Sequence, residues 1–365
     1  MKVVIAGGGT AGHVFPALAL AEKLRPDAEI EFVGSPDGQE ASLVPDAGYM
    51  FHGVAADRFP RKLSPAAATA GFKALRSVGA CREIVRAADV VVGMGGYASV
   101  PAVLAARLGR RPLLLHEQNA IPGLANRLAA RWARVVAVSF EGSAVKLPRA
   151  RKLIVTGNPV RASILEALEH RERLRKEALD AFAFDPDRRT VVVFGGSQGA
   201  LSLDRAVAGA IELLADRQDI QLLALTGPSH LDVVAVPART AGRLRVCVLG
   251  SLDRIELALA AADLAVARAG AGHIAELSVC GVPAILVPYP YATDDHQAAN
   301  GLELETAGAA TVMPDRELTP ETFASRVSEL LADPSRLEEM ASSMRRWSKP
   351  DAAERLASLV REVAS

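Results

Sequence analysis

Short runs of Val, Ile, Leu and Ala recur along this chain, and most are followed by turn residues and then by a stretch with helical spacing. Val3–Ala6 reads as a strand, with a glycine turn and a helix over Val14–Leu24 behind it. Ile30–Val33, Val90–Gly93, Leu113–His116 and Val135–Ser139 read as further strands. Runs that are apolar throughout, rather than alternating, belong to strands buried on both faces, as in a parallel sheet covered by helices. The rhythm pauses near Gly157-Asn158-Pro159. It passes through a charged helical stretch, Ser163–Leu179, and the turn signal Asp185-Pro186-Asp187, then restarts at Thr190–Phe194. Strands are expected again at Gln221–Thr226, Arg245–Leu249, Leu264–Ala267, Ala284–Val287 and Ala310–Met313, and Pro320–Val363 reads as helices broken near Pro334 and Pro350. The expected class is α/β, with two Rossmann-like doubly wound parallel sheets in succession. Ligands are then expected at the carboxyl ends of strands and in a cleft between the domains.

Composition narrows the picture. A chain of 365 residues suits two domains of common size, and with half its residues apolar but only 4% aromatic its cores are built from Ala, Val and Leu. Lys and Arg number 42 against 42 Asp and Glu, a balance that argues against a nucleic-acid partner. Cys81, Cys247 and Cys280 are widely spaced and form no CxxC, so buried, reduced thiols are expected rather than a disulfide framework or a zinc site. The first apolar run is too short for a signal-peptide core, and no stretch of about 18 apolar residues occurs. A membrane role would have to be played from its surface.

Three loops share one logic: Gly7-Gly8-Gly9-Thr10-Ala11-Gly12, Gly93-Met94-Gly95-Gly96-Tyr97 and Gly195-Gly196-Ser197-Gln198-Gly199. Each follows an apolar strand and opens a helix, where exposed N–H groups and the helix dipole favour an anion such as a diphosphate. Tight strand-to-helix turning is the alternative reading. Gly7, Gly9 and Gly12 also match GxGxxG, but a dinucleotide site needs an acid at the end of the second strand. That strand ends in Val33-Gly34-Ser35-Pro36, with Asp37 only beyond the proline.

Polar residues at strand ends supply the candidate chemistry. His116-Glu117-Gln118-Asn119 follows Leu113-Leu114-Leu115, where polar groups face a cleft unless Asn119 merely caps a helix. Thr293-Asp294-Asp295-His296-Gln297 offers a second cluster, with Asp294 or Asp295 as possible caps. Gly270-Ala271-Gly272-His273 precedes Ile274-Ala275-Glu276, so Glu276 is expected early in a helix that starts after a strand. There it either meets the helix dipole or accepts from a ribose diol. His13 stands just past the first glycine loop, as a proton acceptor or as a structural residue. Residues 58–86 hold Arg58, Arg61, Lys62, Lys73, Arg76, Arg82 and Arg86 against Glu83 alone, with Phe59, Leu63, Phe72, Leu75 and Val78 between them. That mixture suits an anionic membrane surface, or simply a solvated basic helix.

Gly8-Gly9-Thr10-Ala11-Gly12-His13-Val14-Phe15-Pro16-Ala17-Leu18-Ala19 resembles the opening motif of the MurG family. So do Gly95-Gly96-Tyr97, His116-Glu117-Gln118-Asn119, Gly157-Asn158-Pro159-Val160-Arg161, Gly195-Gly196-Ser197-Gln198-Gly199-Ala200 and the stretch from Arg268 through Glu276 to Gln297. The resemblance implies a GT-B architecture and transfer of GlcNAc, without a metal or other cofactor. The donor is UDP-GlcNAc and the acceptor is the MurNAc 4-hydroxyl of lipid I; the configuration inverts and lipid II is formed. Carried over by motif, the donor contacts are Thr10, Ala11, Gly12, Asn119, Arg161, Ser197, Leu252, Ala271, Gly272, His273, Ile274, Ala275, Glu276 and Gln297. His13 is the first choice of base and Glu117 the second. Gly95, Gly96, Tyr97, Arg61, Lys62, Phe72, Lys73 and Arg76 fall to the acceptor and membrane side. The expected place is the cytoplasmic face of the bacterial membrane, held peripherally on anionic lipid, with other cell-wall enzymes as further partners. The expected domains are 1–158 and 159–347, with a C-terminal helix at about 348–365 packing back on the first. Three departures from the family pattern are Ala11, Ala269 and the His296-Gln297 pair. Competing classes are a GT-B transferase with a soluble acceptor and a UDP-binding module without turnover.

Overall fold

Valine, isoleucine and leucine fill the strands on both faces, and both faces are buried. Val3 and Ile5 lie in one apolar layer, Val4 and Ala6 in the other, as the two-residue period of a strand requires. The computed structural model describes residues 1–55, 65–234 and 243–365; the side chains of Ala11 and of residues 65–75 lie outside the description. The chain divides into two compact units, Met1–Arg161 with Lys349–Ser365, and Ala162–Ser348.

Among the described residues, the first unit holds β1 (Lys2–Ala6), β2 (Glu29–Gly34), β3 (Met50–Gly53), β4 (Val90–Gly93), β5 (Leu113–Glu117), β6 (Val135–Val138) and β7 (Leu153–Val155). They form one parallel sheet in the order β3-β2-β1-β4-β5-β6-β7. The second unit holds β8 (Arg189–Phe194), β9 (Ile220–Leu225), β10 (Arg245–Leu249), β11 (Leu264–Ala267), β12 (Ala284–Leu286) and β13 (Ala310–Val312), ordered β10-β9-β8-β11-β12-β13 and again all parallel. In each unit the order reverses beside the first strand, β1 or β8. That switch point is where open α/β sheets bind ligands.

Two strands had no signal in the residue pattern. β3 and β7 are edge strands, short and half-exposed, so they carry no continuous apolar run. The charged stretch after Arg161 is two helices, Ala162–Glu169 and Arg171–Ala181, rather than one.

The helix Ala352–Ala364 belongs to the first unit. Leu356, Val360 and Val363, spaced along one helical face, join the core that contains Val3, Ile5, Leu20 and Leu24. Arg361 donates to the Asp27 carboxylate at 2.9 Å and to the Lys23 carbonyl at 2.9 Å, and Arg134 donates to the Val363 carbonyl at 2.8 Å. Cys81 and Cys280 are buried, and burial pushes both thiols up to about 12; Cys247 is only half-buried.

Candidate active site

The first glycine loop was expected to cradle an anion, and the protein supplies that anion itself. Glu40, 2% exposed at the start of the helix Glu40–Asp46, accepts from the Gly9 N–H at 3.0 Å to either oxygen and from the Ser35 N–H at 2.9 Å. A Cβ on Gly8 would lie 2.0 Å from Glu40 Oε1, at a φ of +147°, so only glycine leaves room for this carboxylate. The Gly9 amide is therefore committed within the protein. Thr10 and Gly12, just beyond it, are exposed. Nothing in the local sequence singled out Glu40, because Gly9, the partner that gives it a role, lies 31 positions away in another loop.

His13 sits in the first turn of the helix Ala11–Leu24. Its Nδ1 is 3.1 Å from Gln118 Oε1. Gln118 Nε2 donates to the Met94 carbonyl at 2.7 Å and lies 3.2 Å from His116 Nδ1, while His116 Nε2 is 3.1 Å from the Gly157 carbonyl. The second glycine loop borders the His13 ring: a Cβ on Gly96 would lie 3.4 Å from Nε2, and one on Gly95 would lie 3.5 Å from Cε1. Tyr97 lies against Gly9, so the two loops of this unit adjoin. His116 is fully buried, and desolvation lowers its pKa to about 4. His116 and Gln118 were visible as part of a polar cluster, but no role followed from the sequence.

Glu117 is held differently. Its carboxylate accepts from the backbone N–H groups of Asn119 and Gly123 at 3.0 Å each and from Asn126 Nδ2 at 2.9 Å, and the side chain is 2% exposed. It fixes the 119–126 loop. Asn119 caps no helix here, because the next one, Leu124–Ala129, has Gly123 at its N-cap. The Arg161 guanidinium stacks 4.5 Å from the Phe15 ring centroid.

In the second unit β8 runs into Gly195–Gly199, and the helix Leu201–Leu213 follows. Ser197 and Gln198 are exposed. Gly199 has a φ of +75°, and a Cβ there would come within 1.9 Å of the Thr226 carbonyl oxygen. Gly196 lies against the His273 ring, which packs edge-on to Phe194 at 5.1 Å and has Nδ1 3.2 Å from the Arg268 carbonyl. Asp204 turns onto His230 at 2.9 Å; burial raises its carboxyl, and the His230 bond offsets part of that.

The helix Ala271–Cys280 begins at Gly270, which puts Glu276 in its second turn rather than its first. The expected dipole benefit falls off within the first turn, so it contributes little at Glu276. Ile274 is fully buried and Ala271 and Ala275 nearly so, leaving Gly272 and His273 as the half-exposed members of that run. Leu252 is half-buried just past β10. Gln297 Oε1 accepts from the Tyr289 N–H at 2.9 Å. Asp294 and Asp295 both have positive φ, and Asp295, at the N-cap of the helix His296–Thr306, forms no side-chain cap bond. Arg268 ties several elements together, donating to the Val287 and Pro288 carbonyls at 3.2 Å, Asp315 at 2.5 Å and Ser202 at 2.7 Å.

Of the basic segment, Arg76 is exposed near the middle of the helix Pro65–Arg86. Phe72 and Lys73 fall on that helix with their side chains outside the description, and Arg61 and Lys62 lie outside the described residues. No helix among the described residues is long and apolar enough to cross a membrane. Among those residues no group of three or more His, Cys, Asp or Glu side chains is placed to share a metal.

Residues 3–138 match the glycosyltransferase family 28 N-terminal domain, and residues 190–356 match the family's C-terminal domain. A protein of Desulfitobacterium hafniense (strain Y51) is 40% identical over the full length of both chains. It is named a UDP-N-acetylglucosamine--N-acetylmuramyl-(pentapeptide) pyrophosphoryl-undecaprenol N-acetylglucosamine transferase. This chain belongs to that transferase family. A Mycolicibacterium vanbaalenii relative of the same name is 43% identical, covering 99% of this chain and 90% of its own. The crystal structure of Acinetobacter baumannii MurG superposes with a TM-score of 0.77 at 29% identity over 99% of each chain. The two parallel-sheet units are thus the GT-B fold of this family.

Proposed function

We infer that this protein transfers GlcNAc from UDP-GlcNAc to the 4-hydroxyl of the MurNAc unit of lipid I, inverting the anomeric carbon and forming lipid II. The observation that carries this reading is the full-length likeness to transferases named for that donor and acceptor. The acceptor oxygen attacks the anomeric carbon, the bond to UDP breaks, and the transition state has oxocarbenium character.

His13 takes the acceptor proton. Glu117 is the weaker candidate, because its oxygens already accept from the Asn119 and Gly123 N–H groups and from Asn126 Nδ2. Charge on the departing UDP meets Ser197, the backbone N–H groups of the 195–199 loop and the start of the following helix, and no metal is invoked. Glu276 receives the ribose hydroxyls and the Leu252 backbone meets the uracil. Gln297, with its carbonyl oxygen taken by Tyr289, turns its amide NH2 to the sugar. Thr10, Gly12, Asn119 and Arg161 complete the donor contacts. In the 271–276 run the contact comes from the half-exposed Gly272 and His273 and from backbone groups.

A lipid-linked acceptor requires docking at the bilayer surface. The basic and apolar residues of 58–86 are the proposed contact, on anionic lipid at the cytoplasmic face. Turnover of labelled UDP-GlcNAc with a lipid I analogue, in detergent with EDTA present, is the test. Labelled lipid supports the acceptor, and labelling in EDTA supports metal independence. UDP-GlcNAc binding without labelled lipid overturns the acceptor and directs the search to soluble ones.

A further inference from the structure

The hydrogen bonds behind His13 run in one direction, and two backbone carbonyls impose it. A carbonyl oxygen only accepts. The Met94 carbonyl, 2.7 Å from Gln118, therefore faces the amide nitrogen and leaves Gln118 Oε1 toward His13. At the far end the Gly157 carbonyl, 3.1 Å from His116 Nε2, requires the proton on that nitrogen. His116 Nδ1 is then a lone pair, positioned to accept from Gln118 Nε2. The two ends, read independently, orient the Gln118 amide the same way. An acceptor oxygen 3.1 Å from His13 Nδ1 places the His13 proton there.

We propose that Gln118, backed by His116, is a positioning residue that holds His13 in the Nδ1–H tautomer and so keeps the ring's proton-accepting lone pair on Nε2. The functional half of this rests on the reading of His13 as the base. Imidazole in water prefers the opposite tautomer, so the lock has work to do, and a histidine in the wrong tautomer cannot accept a proton at the right nitrogen. His116 suits its place because it stays neutral. A second proton on its Nδ1 would face a donor, and its full burial opposes charge. Gly96 borders this edge of the His13 ring: a Cβ there would lie 3.2 Å from Cδ2 and 3.4 Å from Nε2, and 2.6 Å from the Gly8 carbonyl oxygen.

The test is the nitrogen spectrum of the full chain labelled with 15N-histidine, with His13→Ala assigning the resonance. The expected wild-type result is a protonated Nδ1 and an unprotonated Nε2 at His13. In Gln118→Leu, which is close in volume but offers no acceptor, His13 should move to the Nε2–H form or a mixture. Its kcat should fall roughly tenfold or more at an unchanged KM for UDP-GlcNAc. Wild-type His13 protonated on Nε2, or an unaltered tautomer in Gln118→Leu, overturns the proposal; the first needs no variant to fold. A lost tautomer with undiminished kcat, where His13→Ala is inactive, overturns its functional half. If His13→Ala itself keeps full kcat, the base reading falls, and the spectrum alone then decides the tautomer lock.

Discussion

After β1, the glycines close around the Glu40 carboxylate; after β8, they close on the Thr226 carbonyl and leave Ser197 and Gln198 exposed. Both loops follow an apolar strand and open a helix, and both need glycine because another group occupies the place of a Cβ. Their electrostatics differ. A carboxylate already bonded to the Gly9 N–H repels a second anion, so a diphosphate is disfavoured there. The same backbone turn in the second unit meets no such carboxylate among the described contacts and carries the exposed Ser197 and Gln198 instead. Glycine spacing thus specifies where the chain turns, while the charge the turn meets is set by a residue elsewhere. In the first unit that residue is Glu40, which ties down the loop just before His13; under the proposed function, proton transfer rather than diphosphate binding is the task of this region.

The largest expected effect tests that division of labour. His13→Ala should lower kcat by about 10²-fold or more with little change in UDP affinity. A change confined to KM would make His13 a binding residue.

Acid should weaken the first unit through His116. Its folded pKa, about 4, lies below the ordinary 6.5. Between those values the unfolded chain binds a proton that the native state refuses, so stability is full above about pH 6.5 and falls as pH drops toward 4. The loss is on the order of 3 kcal/mol. Chemical denaturation across that range should show the slope, and His116→Gln should flatten it.

Glu40→Gln comes next. It leaves N–H groups of Gly9 or Ser35 badly paired, a cost of about 1–3 kcal/mol in unfolding free energy by chemical denaturation, with a lower kcat and an unchanged UDP Kd by calorimetry. Tighter UDP binding in this variant would mean that the first loop is the diphosphate site after all. The smallest effect is Ser197→Ala, which should weaken UDP by about 0.5–1.5 kcal/mol if its hydroxyl meets the diphosphate. No loss at Ser197 would leave that contact to the backbone.

Much of the architecture was readable in the residues. β4, β10 and β11 begin and end where the apolar runs do, and the restart after Asp185 announced a second sheet. The edge strands β3 and β7 were silent because a half-exposed strand needs no apolar run. Glu276 was expected within reach of a helix dipole and stands a turn too deep, since helix starts are poorly marked when glycine, not Ser or Asp, sits at the cap.

Strand positions, the two-sheet class and the glycine turns follow from periodicity and backbone sterics, which are local and therefore written in consecutive residues. The seat of Glu40 under Gly9, the return of residues 352–364 to the first core and the polarised chain from His13 through Gln118 to His116 are not. His13 and Gln118 stand 105 positions apart. A hydrogen bond's direction depends on which acceptor the fold brings within about 3 Å, and no spacing along the chain encodes that.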